Sequence, residues 1–119
     1  MNIKPTDEQV KEFWEWCGGK YIGGNYNTGE PAHYVMPDGG IIPEGIPIGL
    51  NNLFEYAVPK VFECFVINRF ECCVDSRRDG LGYQWVIGSS HLAKDYRTGE
   101  YIKDNTLALF WAIWEVMHG

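Results

Sequence analysis

The chain has 119 residues, 45% of them hydrophobic and 15% aromatic, and a net charge of −6. This supports one folded domain spanning residues 1–119, with enough apolar material for a core, and excludes a disordered tail. The acidic balance argues against direct nucleic-acid binding, where Lys and Arg must neutralise phosphates.

"PTDEQVKEFWEWCGG" predicts a first helix over 7–17. Thr6 and Gln9 have the spacing of a capping box. Val10, Phe13, Trp14 and Cys17 make one apolar stripe, and Gly18 and Gly19 stop the helix. Trp16 lies off the stripe and is free to flank the core or meet a partner. The Gly- and Pro-rich stretch that follows reads as short extended pieces, with a strand at Tyr34–Met36, a turn at Pro37–Gly40 and a meandering connector in "IIPEGIPIG". "LNNLFEYAVPK" predicts a short helix over 50–58 that Pro59 ends.

The middle of the chain reads as sheet. "VFECFVIN", "RFECCVDS" and "GYQWVIGS" are rich in β-branched and aromatic residues. "RRDGLG" joins the last two as a hairpin, and "DYRTGEYI" is a second candidate hairpin turning at Gly99. The last helix, 104–117, starts on Asp104 as N-cap. One stripe carries Leu107, Phe110, Trp111 and Trp114; Leu109, Ile113 and Val116 lie opposite. A helix apolar nearly all round needs two neighbours. The sheet supplies one. The other is the first helix or the same helix of another subunit, in which case Leu109, Ile113 and Val116 form a homodimer contact. The expected fold class is α+β, a small layered sandwich of three helices packed on a mainly antiparallel β-sheet. The expected core is Val10, Phe13, Trp14, Leu53, Phe54, Phe70, Val74, Trp85, Leu107, Phe110, Trp111 and Trp114.

No apolar run reaches the roughly 18 residues of a membrane span, and "MNIKPTDEQV" has no signal-peptide core. A cytoplasmic protein with reduced cysteines is expected. There is no Cys-x-x-Cys pair among Cys17, Cys64, Cys72 and Cys73, and zinc would need Cys64 and Cys72 joined by a distant His. No metal and no cofactor is expected.

The order "DEQVKEFWEWCGG", "PDGG", "LNNLFEYAVPK", "LALFWAIWEV" resembles the phage ABA sandwich domain family, small uncharacterised phage and prophage proteins. The matching pieces lie at both ends and in the middle, so the resemblance spans most of the chain. The family pattern has Asp-Pro before the last helix, where this chain has Asp104-Asn105, and residues 76–103 fall outside it. The resemblance implies helix and sheet layers and a phage or bacterial origin. It supplies no activity and no site residues.

Cys72 or Cys73 with His91 and Asp95, or Ser89 or Ser90 with the same pair, has the residue types of nucleophilic catalysis. No nucleophile-elbow spacing accompanies them, and no enzyme is expected. The glycine loop "GGKYIGGNYNTG" lacks the Gly-Lys-Ser/Thr of a phosphate loop, but Tyr21 and Tyr26 could stack on a base. Arg77, Arg78, Lys94 and Arg97 could grip phosphate. The leading expectation is an accessory binding protein that antagonises a host defence system by sequestering a nucleotide signal. The alternatives are an acidic inhibitor of a host protein and a virion or assembly accessory protein.

Overall fold

A computed structural model describes residues 4–44, 48–77, 80–89, 94–98 and 100–118, with the backbone alone at Arg77 and Lys94. It is α+β, with two small three-stranded antiparallel sheets and helices around them. The chain divides into two compact units, residues 5–47 and the remainder.

In the first unit, α1 (Asp7–Trp16) opens on the capping box. Thr6 N–H donates to Gln9 Oε1 at 2.9 Å and Gln9 N–H to Thr6 Oγ1 at 3.2 Å. Gly18, at φ +94°, turns the chain out of the helix where a side chain would be strained. Strands β1 (Lys20–Ile22), β2 (His33–Val35) and β3 (Ile41–Pro43) follow in spatial order 1-2-3. The expected strand at 34–36 lies one residue earlier. The supposed connector holds a real strand, but at the sheet edge, where Pro43 costs no ladder bond. Phe13, Trp14, Cys17, Tyr34, Met36 and Ile42 are buried.

The second unit corrects the reading at Pro59. Helix does not stop there. An α turn, α2 (Leu50–Asn52), runs into a π-helical stretch, Leu53–Ala57, and on into α3 (Val58–Cys64). Val58 N–H donates to Leu53 O, five residues back. A proline inside an α-helix clashes with the carbonyl four residues before it and leaves that carbonyl without a donor. The wider π turn shifts the ladder just ahead of Pro59, which then takes an early position in α3, where its missing N–H matters least. The first of the three expected strands is therefore half helix, and the sheet starts later.

That sheet is β4 (Arg69–Arg77), β5 (Gly80–Ser89) and β6 (Lys94–Arg97), in spatial order 4-5-6. The expected β4–β5 hairpin is present, with Arg77 opposite Gly80. The second expected hairpin is not. After β6 the same strand line resumes at Ile102, which exchanges both backbone hydrogen bonds with Tyr83 at 2.7 and 2.8 Å. Gln84 Nε2 donates to the Thr98 carbonyl. Gly99, the expected turn, lies outside the described residues.

The last helix, α4 (Asn105–His118), starts as expected on Asp104, whose Oδ1 accepts from Leu107 N–H at 3.1 Å. It lies against β5 and β6 and against the α2–π–α3 segment. Leu109, Ile113 and Val116 are 0%, 0% and 2% exposed. This stripe is filled inside the chain, which removes it as the contact with another copy. Trp111 and Trp114 are only half-buried, and their rings meet each other and Phe110 along the side of the helix. Val10, Phe70 and Leu107 are also half-buried, and Phe54 and Val74 are exposed.

Gly82 and Gly88 each lie close under another side chain. A Cβ on Gly82 would come within 2.8 Å of Tyr101 Cβ, an atom that cannot swing aside. Gly82→Ala should lower stability by about 1–3 kcal/mol. Gly23→Ala, at a position with open space around it, should leave the melting temperature within about a degree or two. Equal melting curves for the two variants would show that the Tyr101 contact is not tight.

Candidate interaction surface

The expected ligand-binding residues are divided between the two units. Tyr21 and Tyr26 are in the first unit; the four cations are in the second. Tyr21, on β1, is already engaged: its ring lies 5.2 Å from that of Tyr34, Lys11 Nζ sits 5.0 Å over it, and a hydrogen bond to Glu44 raises its hydroxyl pKa. Tyr26 is fully exposed in a turn. Arg78 lies outside the described residues. Arg77 is opposite Gly80 and Lys94 is opposite Ser89, nine positions along β5, which is about 30 Å of strand. Arg97 pairs with Asp95 at 3.2 Å. These cations are strung along a sheet, not gathered round a phosphate. Trp16 is half-buried at the end of α1.

Only some of the catalytic candidates are among the described residues. Ser90 and His91 lie outside the described residues. Ser89 is buried. Cys72 stands opposite Trp85 on one face of the sheet; Cys73 stands opposite Gln84 on the other. Asp95 is on the face of Cys73, bonded to Arg69 at 3.1 Å, but four positions away along the sheet, roughly 13 Å. Burial, and then the neighbouring Cys73, push the Cys72 thiol pKa up, the opposite of what a nucleophile needs. Among the described residues no cluster of His, Cys, Asp or Glu could hold a metal ion, and no helix is long and apolar enough to cross a membrane.

The two faces of the β4–β5 hairpin differ in kind. On one, Arg69, Glu71, Asp95 and Arg97 form a chain of ion pairs. Val86 stands on this face opposite Glu71 and Arg97 and is fully buried. On the other face Phe70 meets Trp85 at 5.3 Å, and Phe54 and Phe62 close on them at 5.6–6.3 Å from the helical segment. This aromatic cluster is not sealed. Phe54 is 42% exposed and Phe62 48%, and farther along the same face Val74 is 57% and Leu81 51% exposed. A row of large apolar groups therefore faces solvent, a feature that soluble chains keep small unless something binds there. Sequence periodicity put Phe54 and Val74 in the core because it reports which face is apolar, not whether anything covers that face.

One polar junction fixes α4 to the apolar face. Asn105 Oδ1 accepts from Trp85 Nε1 at 2.8 Å and lies 3.8 Å from Cys72 Sγ. Trp85 is only 9% exposed, so its indole N–H depends on this acceptor. In the first unit, burial pushes the Tyr34 hydroxyl pKa up to about 12 from 10.0, with the Glu44 carboxylate adding to it. No family model, no curated protein and no solved structure matches the chain.

Two outcomes follow. Asn105→Ala should cost about 1–3 kcal/mol by leaving the indole N–H unpaired, whereas Asn105→Asp should keep most of the stability; chemical denaturation of both would decide, and two equal losses would show that the acceptor is not what matters. The raised Tyr34 value has a definite sign. The folded state binds this proton more tightly than the unfolded one, so the contribution is complete below pH 10 and is lost as pH rises towards 12. Melting temperatures of wild type and Tyr34→Phe should differ by a constant amount below pH 10 and shift in favour of the variant above it. Parallel curves up to pH 12 would refute the shift.

Proposed function

We propose that this protein is a phage- or prophage-encoded accessory protein that acts by binding rather than by catalysis, and that its target is a host protein. The phage setting comes from the resemblance of its helical motifs. The observation that carries the protein-target reading is the open apolar row of Phe54, Phe62, Val74 and Leu81 on one face of the hairpin. Protein interfaces are built on such rows of aromatic and aliphatic anchors. The net charge of −6 favours a basic surface on the partner and a fast encounter with it. Antagonism of a host defence system is the setting in which such a small binder fits best.

Sequestration of a nucleotide signal is the weaker reading. It needs cations gathered at one place, and Arg77 and Lys94 stand at opposite ends of β5. A clamp made of them would have to draw residues from more than one subunit.

A photo-reactive phenylalanine analogue placed at position 62 should cross-link one host protein in the infected cell. Val74→Glu combined with Leu81→Glu should lower affinity for that protein at least about tenfold, because each side chain is worth roughly 1.5–3 kcal/mol if fully buried. The melting temperature should hardly change, since neither residue is in the core. Survival of the biological effect in the double variant would refute the reading, and a nucleotide released on denaturing the purified protein would replace it with sequestration.

A further inference from the structure

β4 forms the edge of its sheet. It pairs with β5 over all nine residues, and among the described residues no strand pairs with its other side. Nor is any residue from 69 to 76 buried. Which of its backbone groups are open follows from the ladder. Tyr83 gives both its N–H and its C=O to Ile102, on the far side of β5. In an antiparallel sheet the two groups of one residue point the same way, and successive residues alternate. Gly82, Gln84 and Val86 therefore turn towards β4, and their partners Asp75, Cys73 and Glu71 are the ones bonded across. Phe70, Cys72 and Val74 turn their N–H and C=O groups to the open edge. Long edges are commonly blunted by lysine, proline or a bulge. "RFECCVDSR" contains neither Lys nor Pro, and its register with β5 is unbroken.

We propose that this edge is closed by β4 of a second copy of the chain, antiparallel across a two-fold axis at Cys72, so that two three-stranded sheets join into one of six strands. The register follows from charge and apolar complementarity. Centred on Cys72, Phe70 stands opposite Val74 of the partner subunit, and Arg69 opposite Asp75 of the partner subunit. The first is a favourable aromatic–β-branched pair and the second an opposite-charge pair. Each occurs twice by symmetry. Centring on Cys73 would oppose Glu71 to Asp75 and Arg69 to Arg77. Centring on Glu71 would oppose that carboxylate to itself. Centring on Val74 would carry Phe70 past the end of β4. Among the open-backbone centres Phe70, Cys72 and Val74, Cys72 alone makes two apolar cross-strand pairs together with two opposite-charge pairs. It would also bring the two apolar rows side by side on one face.

In this register the two Cys72 Cα atoms lie about 5.5 Å apart, within the span of a disulfide. The test uses the full chain. Wild type at micromolar concentration should show the dimer mass by light scattering. Cys72→Pro removes an outward N–H without touching the β4–β5 ladder, and should give a monomer with an unchanged circular dichroism spectrum. If that variant fails to fold, Val74→Lys serves the same purpose. In a Cys64→Ser background, diamide, which takes up the two thiol hydrogens, should link the dimer covalently. The link should persist with Cys73→Ser and vanish with Cys72→Ser. A monomeric wild type, a dimer that survives both edge variants, or a link through Cys73 would each overturn the proposal. So would a β4 edge that gains protection from hydrogen exchange only when another protein is added. A monomeric result would leave the host-protein reading standing, because that reading depends on side chains and not on the strand edge.

Discussion

A helix with almost no polar side has to be covered on two sides, and α4 imposes this on everything after residue 48. Its 14 residues make a rod about 21 Å long. The sheet covers one side. The other needs a neighbour of similar length, and a helix ending at Pro59 would be roughly 13 Å long and leave the C-terminal turns uncovered. The π-helical stretch at Leu53–Ala57 resolves this. By resetting the ladder before Pro59, it lets helical structure run on to Cys64, a rise of about 22 Å. The irregular turn thus gives α4 a helical neighbour about as long as itself.

The junction at Asn105 shows the same economy at the scale of one side chain. Trp85 is large enough to fill the space between sheet and helices, but its indole N–H cannot be buried alone. The residue directly after the helix cap is well placed to answer it, because a side chain there points back towards the strand that the helix covers. Asn105 does so.

How much of this was legible in the sequence depended on whether the deciding interaction was local. The capping box at Thr6 and Gln9, the Asp104 cap and the β4–β5 hairpin all follow from contacts a few residues apart, and the sequence reads them correctly. Pro59 was misread because its rule is also local, whereas the π turn that cancels it leaves no mark of its own. The stretch around Gly99 reads as a hairpin because Gly99 resembles a turn; that Ile102 instead pairs with Tyr83 depends on a contact between residues distant in sequence. The inner and outer faces of α4 were both visible as apolar. Which one faces the core depends on what lies alongside, and no periodicity carries that. The same holds for Arg77 and Lys94: their residue types suit a ligand, but their separation along β5 is a property of register.

The hairpin brings these threads together. Its charged face is closed by its own side chains: Arg69, Glu71, Asp95 and Arg97 answer one another in place, and such exposed pairs add little stability. The apolar face is closed only where α4 and the helical segment reach it, at Trp85 and Ile87, and it opens towards Val74 and Leu81. Among the described residues no strand closes the edge. A structure that satisfies one face of a strand completely and another in part, and leaves its edge without a strand among the described residues, has concentrated its unmet physical demands in one place. Those demands are of two kinds, apolar side chains wanting cover and backbone groups wanting partners, and they need not be met by the same molecule. A second copy at the edge would leave the apolar face free and double it.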